Sequence, residues 1–331
     1  MMRRTTLATT GAALALTLGG CSSIAGVQDA PTEDTSGASI SQAAGSVVTE
    51  RVIGEAAAAS QATGKDADKR RQQVLGGPAL KVSSARASVK QSDDKGTALE
   101  TPAETTVLAV SKGTGWPRSI LATSRVDEVQ QLHVLVADGP KEAYHLFATV
   151  PMASGASIPA FADPAEGVAV TPPEGIGEDD LGAARDWAKA VAYPAPKKAP
   201  ESVATDDTFS TALQTNAAKQ AKELDELAKY TVEHSVGMGG SKDDPADAIR
   251  FELADGGHLT IAALTRTDKV TATDKAKELT LPGPLAELAD DETITEDITV
   301  KHLEVVALVE PKDGKASVVG ALEQLSDVSS S

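Results

Sequence analysis

Cysteine is almost absent from this chain, with one residue, Cys21, in 331. A single thiol closes no intramolecular disulfide and supplies no paired-cysteine zinc site, so the fold must rest on packing alone. Aromatic residues are scarce too, at 3%, with two Trp, three Tyr and four Phe. The cores must therefore be built from Ala, Val and Leu, with few large anchors. Positive charge is in deficit: 31 Lys and Arg face 48 Asp and Glu, for a formal charge of -17. That balance argues against a nucleic-acid partner, whose phosphates need a Lys/Arg stripe, and against docking on anionic headgroups through basic patches. Acidity of this kind is read as a solubility property.

Sequence signatures of chemistry are equally thin. The five histidines, His133, His145, His234, His258 and His302, fall in no HExxH or other ligand spacing, and no metal or cofactor is expected. Most sit in apolar-alternating segments and read as sheet-surface residues, with His258 exposed after a turn. Gly237-Met238-Gly239-Gly240-Ser241-Lys242 lacks the GxxxxGK[ST] order and has no helix directly behind it, so it reads as a loop. No GxSxG elbow occurs. The acid clusters Glu178-Asp179-Asp180 and Asp290-Asp291-Glu292 lack the alternating spacing of a calcium loop. They read as solvated turns and helix starts, and the first of them suits a helix N-terminus.

The clearest signal is at the start. Arg3 and Arg4 precede an apolar stretch from Leu7 to Leu18, followed by Gly19, Gly20 and Cys21. Roughly a dozen helical residues cover about 18 Å, well short of a hydrocarbon layer of about 30 Å, so the stretch predicts a removable export signal rather than a span. Thr5-Thr6-Leu7 after the two arginines fits twin-arginine export poorly, which favours general secretion. Leu18-Gly19-Gly20-Cys21 resembles the bacterial lipobox. The resemblance implies a diacylglyceryl thioether on Cys21 and cleavage between Gly20 and Cys21. It thereby implies a membrane partner reached through lipid and a place on the outer face of the cytoplasmic membrane. Two acyl chains anchor stably where one binds only marginally.

Residues 21–45 lack hydrophobic periodicity and read as a flexible tether. From 46 to 194 the pattern predicts a first α+β domain. VVTERVIGEAAAASQA sets Val47, Val48, Val52, Ile53 and Ala56 on one helical face, and KDADKRRQQVL and PALKVSSARASVK follow as helices, Pro78 lying in the first turn of the latter. TTVLAVS, RSILATS, LHVLVAD and YHLFATV then read as an antiparallel meander, with a further helix at DDLGAARDWAKAVAY. Residues 195–206 read as a linker. From 207 to 327 a second α+β domain is expected. It opens with the helix TFSTALQTNAAKQAKELDELAKY, capped by Asp207 or Thr208, with Phe209, Leu213, Ala217, Leu224 and Leu227 along one side. Strands follow, with hairpin turns at Asp255-Gly256-Gly257 and Lys312-Asp313-Gly314-Lys315.

Trp116-Pro117-Arg118, Tyr144-His145-Leu146-Phe147-Ala148, and Met152, Gly155, Ile158-Pro159-Ala160 and Phe161 resemble segments of an uncharacterised family of lipoproteins from high-GC Gram-positive bacteria. The resemblance extends over 47–325 and carries no activity. Three helices on a curved antiparallel sheet are also similar to the nuclear-transport-factor-2-like, cone-shaped fold, which implies a pocket between helices and sheet. Function does not travel with that fold. Trp116, Tyr144 and Phe161 are candidates for a ligand or partner surface, although core anchoring is the simpler account of them. The expectation is a non-enzymatic, membrane-anchored envelope protein that binds a protein or small molecule. The alternative is an envelope hydrolase using a pocket His and an acid.

Overall fold

In the computed structural model the described residues are 37–89, 99–102, 104–239, 247–276, 278–281, 283–289, 293–294 and 296–330. Cys21, the lipobox, most of the tether and Asp290-Asp291-Glu292 lie outside them. The chain is α+β, with two principal antiparallel sheets.

Helix α1 (Gln42–Ser60) starts at Ser41, whose hydroxyl accepts from the Ala44 N–H at 3.3 Å. Its buried stripe runs Gly45, Thr49, Val52, Ile53, Ala56, the three-and-four spacing that a helix needs to face a sheet. Val47 lies off that stripe and is 67% exposed, a correction to its expected place on the core face. Helices α2 (Ala67–Val74) and α3 (Gly77–Val89) follow. Strands β1 (Thr105–Val110), β2 (Arg118–Val126), β3 (Val129–Ala137) and β4 (His145–Pro151) form the expected meander in the order β1-β2-β3-β4. Asp127 and Glu128, at φ 44 and 70, make the two-residue turn that pairs Val126 with Val129. Two successive positive φ values match the right-handed twist of the flanking strands.

After β5 (Val170–Thr171), the helix α4 (Gly182–Ala190) and the helix α5 (Thr208–Leu224) lead into the second sheet. Asp207 caps α5, accepting from the Ser210 N–H at 2.9 Å. The expected helix through Tyr230 is shorter than its sequence pattern: Asp225 takes φ 43 and ends it, and Ala228 already belongs to a strand. Leu227, expected on the apolar side of that helix, is 46% exposed. The second sheet holds β6 (Ala228–Val236), β7 (Ala248–Glu252), β8 (His258–Ala272), β11 (Asp297–Glu310) and β12 (Ser317–Ser330). Its order is β12-β11-β8-β7-β5, with β6 also pairing β8. A small ribbon, β9 (Leu279–Thr280) with β10 (Thr293–Ile294), and the helix α6 (Gly283–Ala289) lie beside it. Both predicted hairpin turns are present, between β7 and β8 and between β11 and β12.

The layers follow from side-chain alternation. Val107, Ile120, Leu135 and Leu146 on one face of the first sheet meet Val52 and Ala56 of α1. The opposite face, with Leu121, Val134, Phe147 and Val150, meets Ile249, Leu259, Ile261, Val305 and Ala307 of the second sheet. The far side of the second sheet, with Leu264, Val306 and Leu308, takes Trp187 and Ala184 of α4. Tyr230, Val232, Val270 and Val300 there take Ala217 of α5. The stack therefore runs helix, sheet, sheet, helix, and elements from both sides of residues 195–206 share its central apolar layer. Within 195–206, Ala204 N–H donates to the Ala316 carbonyl at 2.8 Å, so this segment lies against the start of β12.

Candidate functional site

The edge strands of the two sheets, β4 and β12, touch at one place. Met152 bridges Gly320, and a Cβ on Gly320 would stand 2.6 Å from the Pro151 carbonyl oxygen. Only glycine lets the backbones come so close. Farther along the same edges α3 packs against both strands, and a cavity of about 340 Å³ remains between them. Its apolar wall includes Leu75, Ala79, Val82, Leu146, Val305 and Leu322, and its polar lining is Ser60, Gln61, Ser83, Arg86, Gln131 and Thr149. The volume is in the range of small-molecule sites, roughly 300–1,000 Å³.

Two oxygens of lining residues, Ser83 Oγ and Gln131 Oε1, are buried without a hydrogen bond. Thr149 is already engaged: its Oγ1 lies 3.1 Å from His133 Nδ1, and His133 Nε2 lies 2.7 Å from Ser124 Oγ. This Ser–His–Thr chain crosses β2, β3 and β4. Its imidazole is fully enclosed, and burial pulls its pKa down to about 4. No carboxylate orients it, so it stands as a neutral brace behind the cavity wall. Among the described lining residues only Arg86 carries charge, and none of them is a proton donor or acceptor suited to acid–base work.

A second cleft, of about 700 Å³, lies on the other side of the α2–α3 connection. His145 lines it with Asp138 and Glu142, and Nδ1 of His145 is 3.8 Å from Asp138 Oδ2. Burial lowers the His145 pKa, opposed by the two carboxylates. Gly76 and Gly77 make room for the rings of β4: a Cβ would meet the His145 ring at 2.4 Å and the Phe147 ring at 2.5 Å, respectively.

The expectation of sheet-surface histidines is corrected here. His133 is enclosed, and the side chains of His234 and Glu304 are both fully buried with Nε2 3.4 Å from Oε1. Both nitrogens of His234 and both oxygens of Glu304 lack hydrogen bonds, and burial holds the Glu304 pKa above the usual carboxylate range. Beside them Arg266 pairs with Asp268 and Glu323 at 2.6 and 2.7 Å, and the Tyr230 hydroxyl donates to Asp268 at 2.9 Å. Trp187 covers His234 edge-on, with centroids 5.8 Å apart. His258, expected to be exposed, is half-buried, with Nδ1 3.0 Å from Arg250 Nη2.

The aromatic candidates separate. Trp116 is 37% exposed, with the Arg118 guanidinium 4.3 Å from its ring centre. Tyr144 adjoins the same Arg118 and Ser39, and its pKa is pushed up to about 12, chiefly by burial. Phe161 packs on the layer between the sheets and lines a third cavity with Met152 and Ile158. The cavity under α3 includes none of the three, and sequence reasoning did not find its wall. Val82, Ser83, Gln131 and Leu322 read as ordinary amphipathic positions, and they come from segments far apart in the chain.

Among the described residues no group of three or more His, Cys, Asp or Glu is placed to hold a metal ion, and no helix is long and apolar enough to cross a membrane. No protein-family model, no curated protein and no solved structure matches the chain.

Proposed function

We propose that this chain is a lipid-anchored protein of the outer face of the cytoplasmic membrane that binds an apolar small molecule in the cavity between α3 and the two sheet edges. The observation that carries the binding reading is the cavity itself: about 340 Å³, walled largely by aliphatic side chains. The anchor rests on Leu18-Gly19-Gly20-Cys21 and the charged, apolar stretch before it, and the resemblance to envelope lipoproteins of high-GC Gram-positive bacteria accords with it. Binding rather than catalysis is favoured because the described residues of the cavity wall include no acid–base pair. The finer architectural reading, two α+β units of which the first is cone-shaped, is supported by the helix-then-meander order of α1–β4 and by a cavity between helix and sheet.

The test is probe binding by the full-length chain carrying Cys21→Ser. A neutral phenylnaphthylamine dye, which fluoresces in apolar surroundings, binds this protein with micromolar affinity. Val82→Phe, which fills the cavity, weakens binding at least tenfold while leaving the circular dichroism unchanged. Equal dye binding by both proteins refutes the site.

A second reading, an envelope hydrolase, is favoured by one observation, His145 beside Asp138 in the larger cleft. His145→Ala abolishing turnover of an ester panel would support it; a panel left uncleaved by the unaltered chain would dismiss it.

A further inference from the structure

Trp116 is the one exposed aromatic side chain among the described residues, at 37%. A single exposed apolar group is ordinary on a protein surface; its place in the chain is what gives this one meaning. Trp116 stands in the loop between β1 and β2, and the first described residues pair with that loop. Ala38 bridges Lys112 antiparallel, the Ser39 N–H donates to the Ser111 carbonyl at 2.8 Å, and the Gly113 N–H donates to the Gly37 carbonyl at 2.9 Å. In antiparallel pairing a step back from Ala38 to Gly37 is a step on from Lys112 to Gly113, so at Gly37 the backbone points to the loop tip, Thr114-Gly115-Trp116. Arg118 fastens the two segments together. Its guanidinium donates to the Ser39 carbonyl at 3.1 Å and to the Thr114 carbonyl at 3.4 Å, and lies 4.3 Å from the centre of the indole ring. Gly37 follows Cys21 by sixteen positions, a span of at most about 55 Å. The part of the described fold nearest Cys21 along the chain therefore carries the exposed indole.

We infer, resting on the lipid anchor proposed above, that the β1–β2 loop end of the first sheet sits against the bilayer surface, with the Trp116 indole at the level of the headgroups. Trp suits that layer, having an apolar ring and one N–H for the wet side. Affinity comes from the two acyl chains, and the indole supplies orientation. A contact too weak to hold a free protein is populated once the anchor keeps the loop near the bilayer, at an effective concentration on the order of millimolar. The surrounding charges select the kind of surface. Loops 111–117 and 138–144 share this end because Arg118 pairs with Ala137, and the turn at 163–167 joins it where the Ala38 N–H donates to the Ala165 carbonyl at 3.3 Å. Lys112, Arg118 and Lys141 there stand against Asp138, Glu142, Asp163 and Glu166. No cationic excess seeks anionic headgroups, so the contact needs only zwitterionic lipid.

The experiment places the full-length chain, purified from membranes with the lipid it carries, in phosphatidylcholine vesicles brominated near the headgroup end of the acyl chains. Its tryptophan emission is compared with that in unbrominated vesicles, since bromine quenches an indole on contact. The unaltered chain loses emission to bromine, and Trp187→Phe protein, in which Trp116 is the only tryptophan, falls to about half or less, as an indole at headgroup level should. Trp116→Phe protein, whose Trp187 is fully buried, loses none. Should Trp187→Phe protein fail to fold, the difference between the unaltered chain and Trp116→Phe protein carries the same reading. Cys21→Ser protein mixed with the same vesicles is not quenched, because one indole does not hold it there. Equal emission of the unaltered chain in both kinds of vesicle, with intact mass showing the lipid on Cys21, overturns the inference and leaves the anchor standing. A Trp116 that already resists acrylamide in the Cys21→Ser chain belongs to a contact within the protein, and that overturns the inference as well. An intact mass without lipid refutes the anchor and this inference with it.

Discussion

Acid should destabilise this protein through His133 in particular, and the structure sets the size of the effect. The imidazole is fully enclosed, braced between Ser124 and Thr149, with burial lowering its pKa to about 4 against an ordinary 6.5. Because the folded-state value lies below the unfolded one, the unfolded chain takes up the proton first. The stabilisation from keeping His133 neutral is complete above about pH 6.5 and is lost as pH falls towards 4. The separation corresponds to about 3 kcal/mol at the acid limit, of which about 2 kcal/mol is already gone at pH 5. His133→Gln keeps a donor and an acceptor but has nothing to protonate. Urea unfolding followed by circular dichroism at pH 7.5, 6 and 5 therefore gives an unaltered chain that loses stability faster than the variant, the difference between them shifting by about 2 kcal/mol in the variant's favour. His145 and His302 also have burial-lowered pKa values, but they titrate in both proteins and cancel in the comparison. Parallel profiles for the two proteins would refute the reasoning, since they would mean that His133 takes up its proton in the folded state as easily as in the unfolded one.

Three further outcomes follow from the same geometry. Gly320→Ala places a Cβ 2.6 Å from a backbone oxygen of the facing strand, and it should cost about 1–3 kcal/mol by overpacking; an unchanged urea midpoint would contradict the close approach. Glu304, whose pKa is raised by burial, contributes stability that is present at low pH and lost as pH rises, so Glu304→Gln should gain on the unaltered chain between pH 5 and 8. A gap that does not change with pH would show the carboxyl to be ordinary. Trp187 is fully buried and Trp116 is 37% exposed, so the Trp116→Phe protein should emit at short wavelength and resist acrylamide, and the Trp187→Phe protein should emit further to the red and be quenched. Identical quenching of the two variants would contradict their placement.

The element order was legible because each signal is local. Alternation marks β1 to β4, aspartate caps α5, and glycine-bearing turns close the two later hairpins. The extent of α5 was not, because the helical pattern of its sequence continues past Asp225, whose positive φ ends the helix. The layering was legible only in part. Ile261-Ala262-Ala263-Leu264 and Val305-Val306-Ala307-Leu308-Val309 are continuous apolar runs, as strands buried on both faces require, and the second sheet is covered on both sides, by the first sheet and by α4 with α5, a consequence that reading the segments as strands did not draw. The histidines show the limit of alternation, which assigns a face but not what covers it: His133 and His234 look like surface residues until α1, α4 and the neighbouring strands are in place. The cavity was invisible for the same reason, since Ser83, Gln131 and Leu322 become neighbours only when both sheets have formed around α3. The lipobox is the opposite case, legible in four consecutive residues that lie outside the described structure.

Native mass spectrometry of the chain purified from detergent-washed membranes tests the central claim most directly. The account predicts a covalent mass increase consistent with a diacylglyceryl group on Cys21, together with a second, non-covalent small molecule that Val82→Phe protein does not retain. A chain carrying no bound molecule beyond its own covalent lipid, or one whose bound molecule persists unchanged in Val82→Phe, would contradict it.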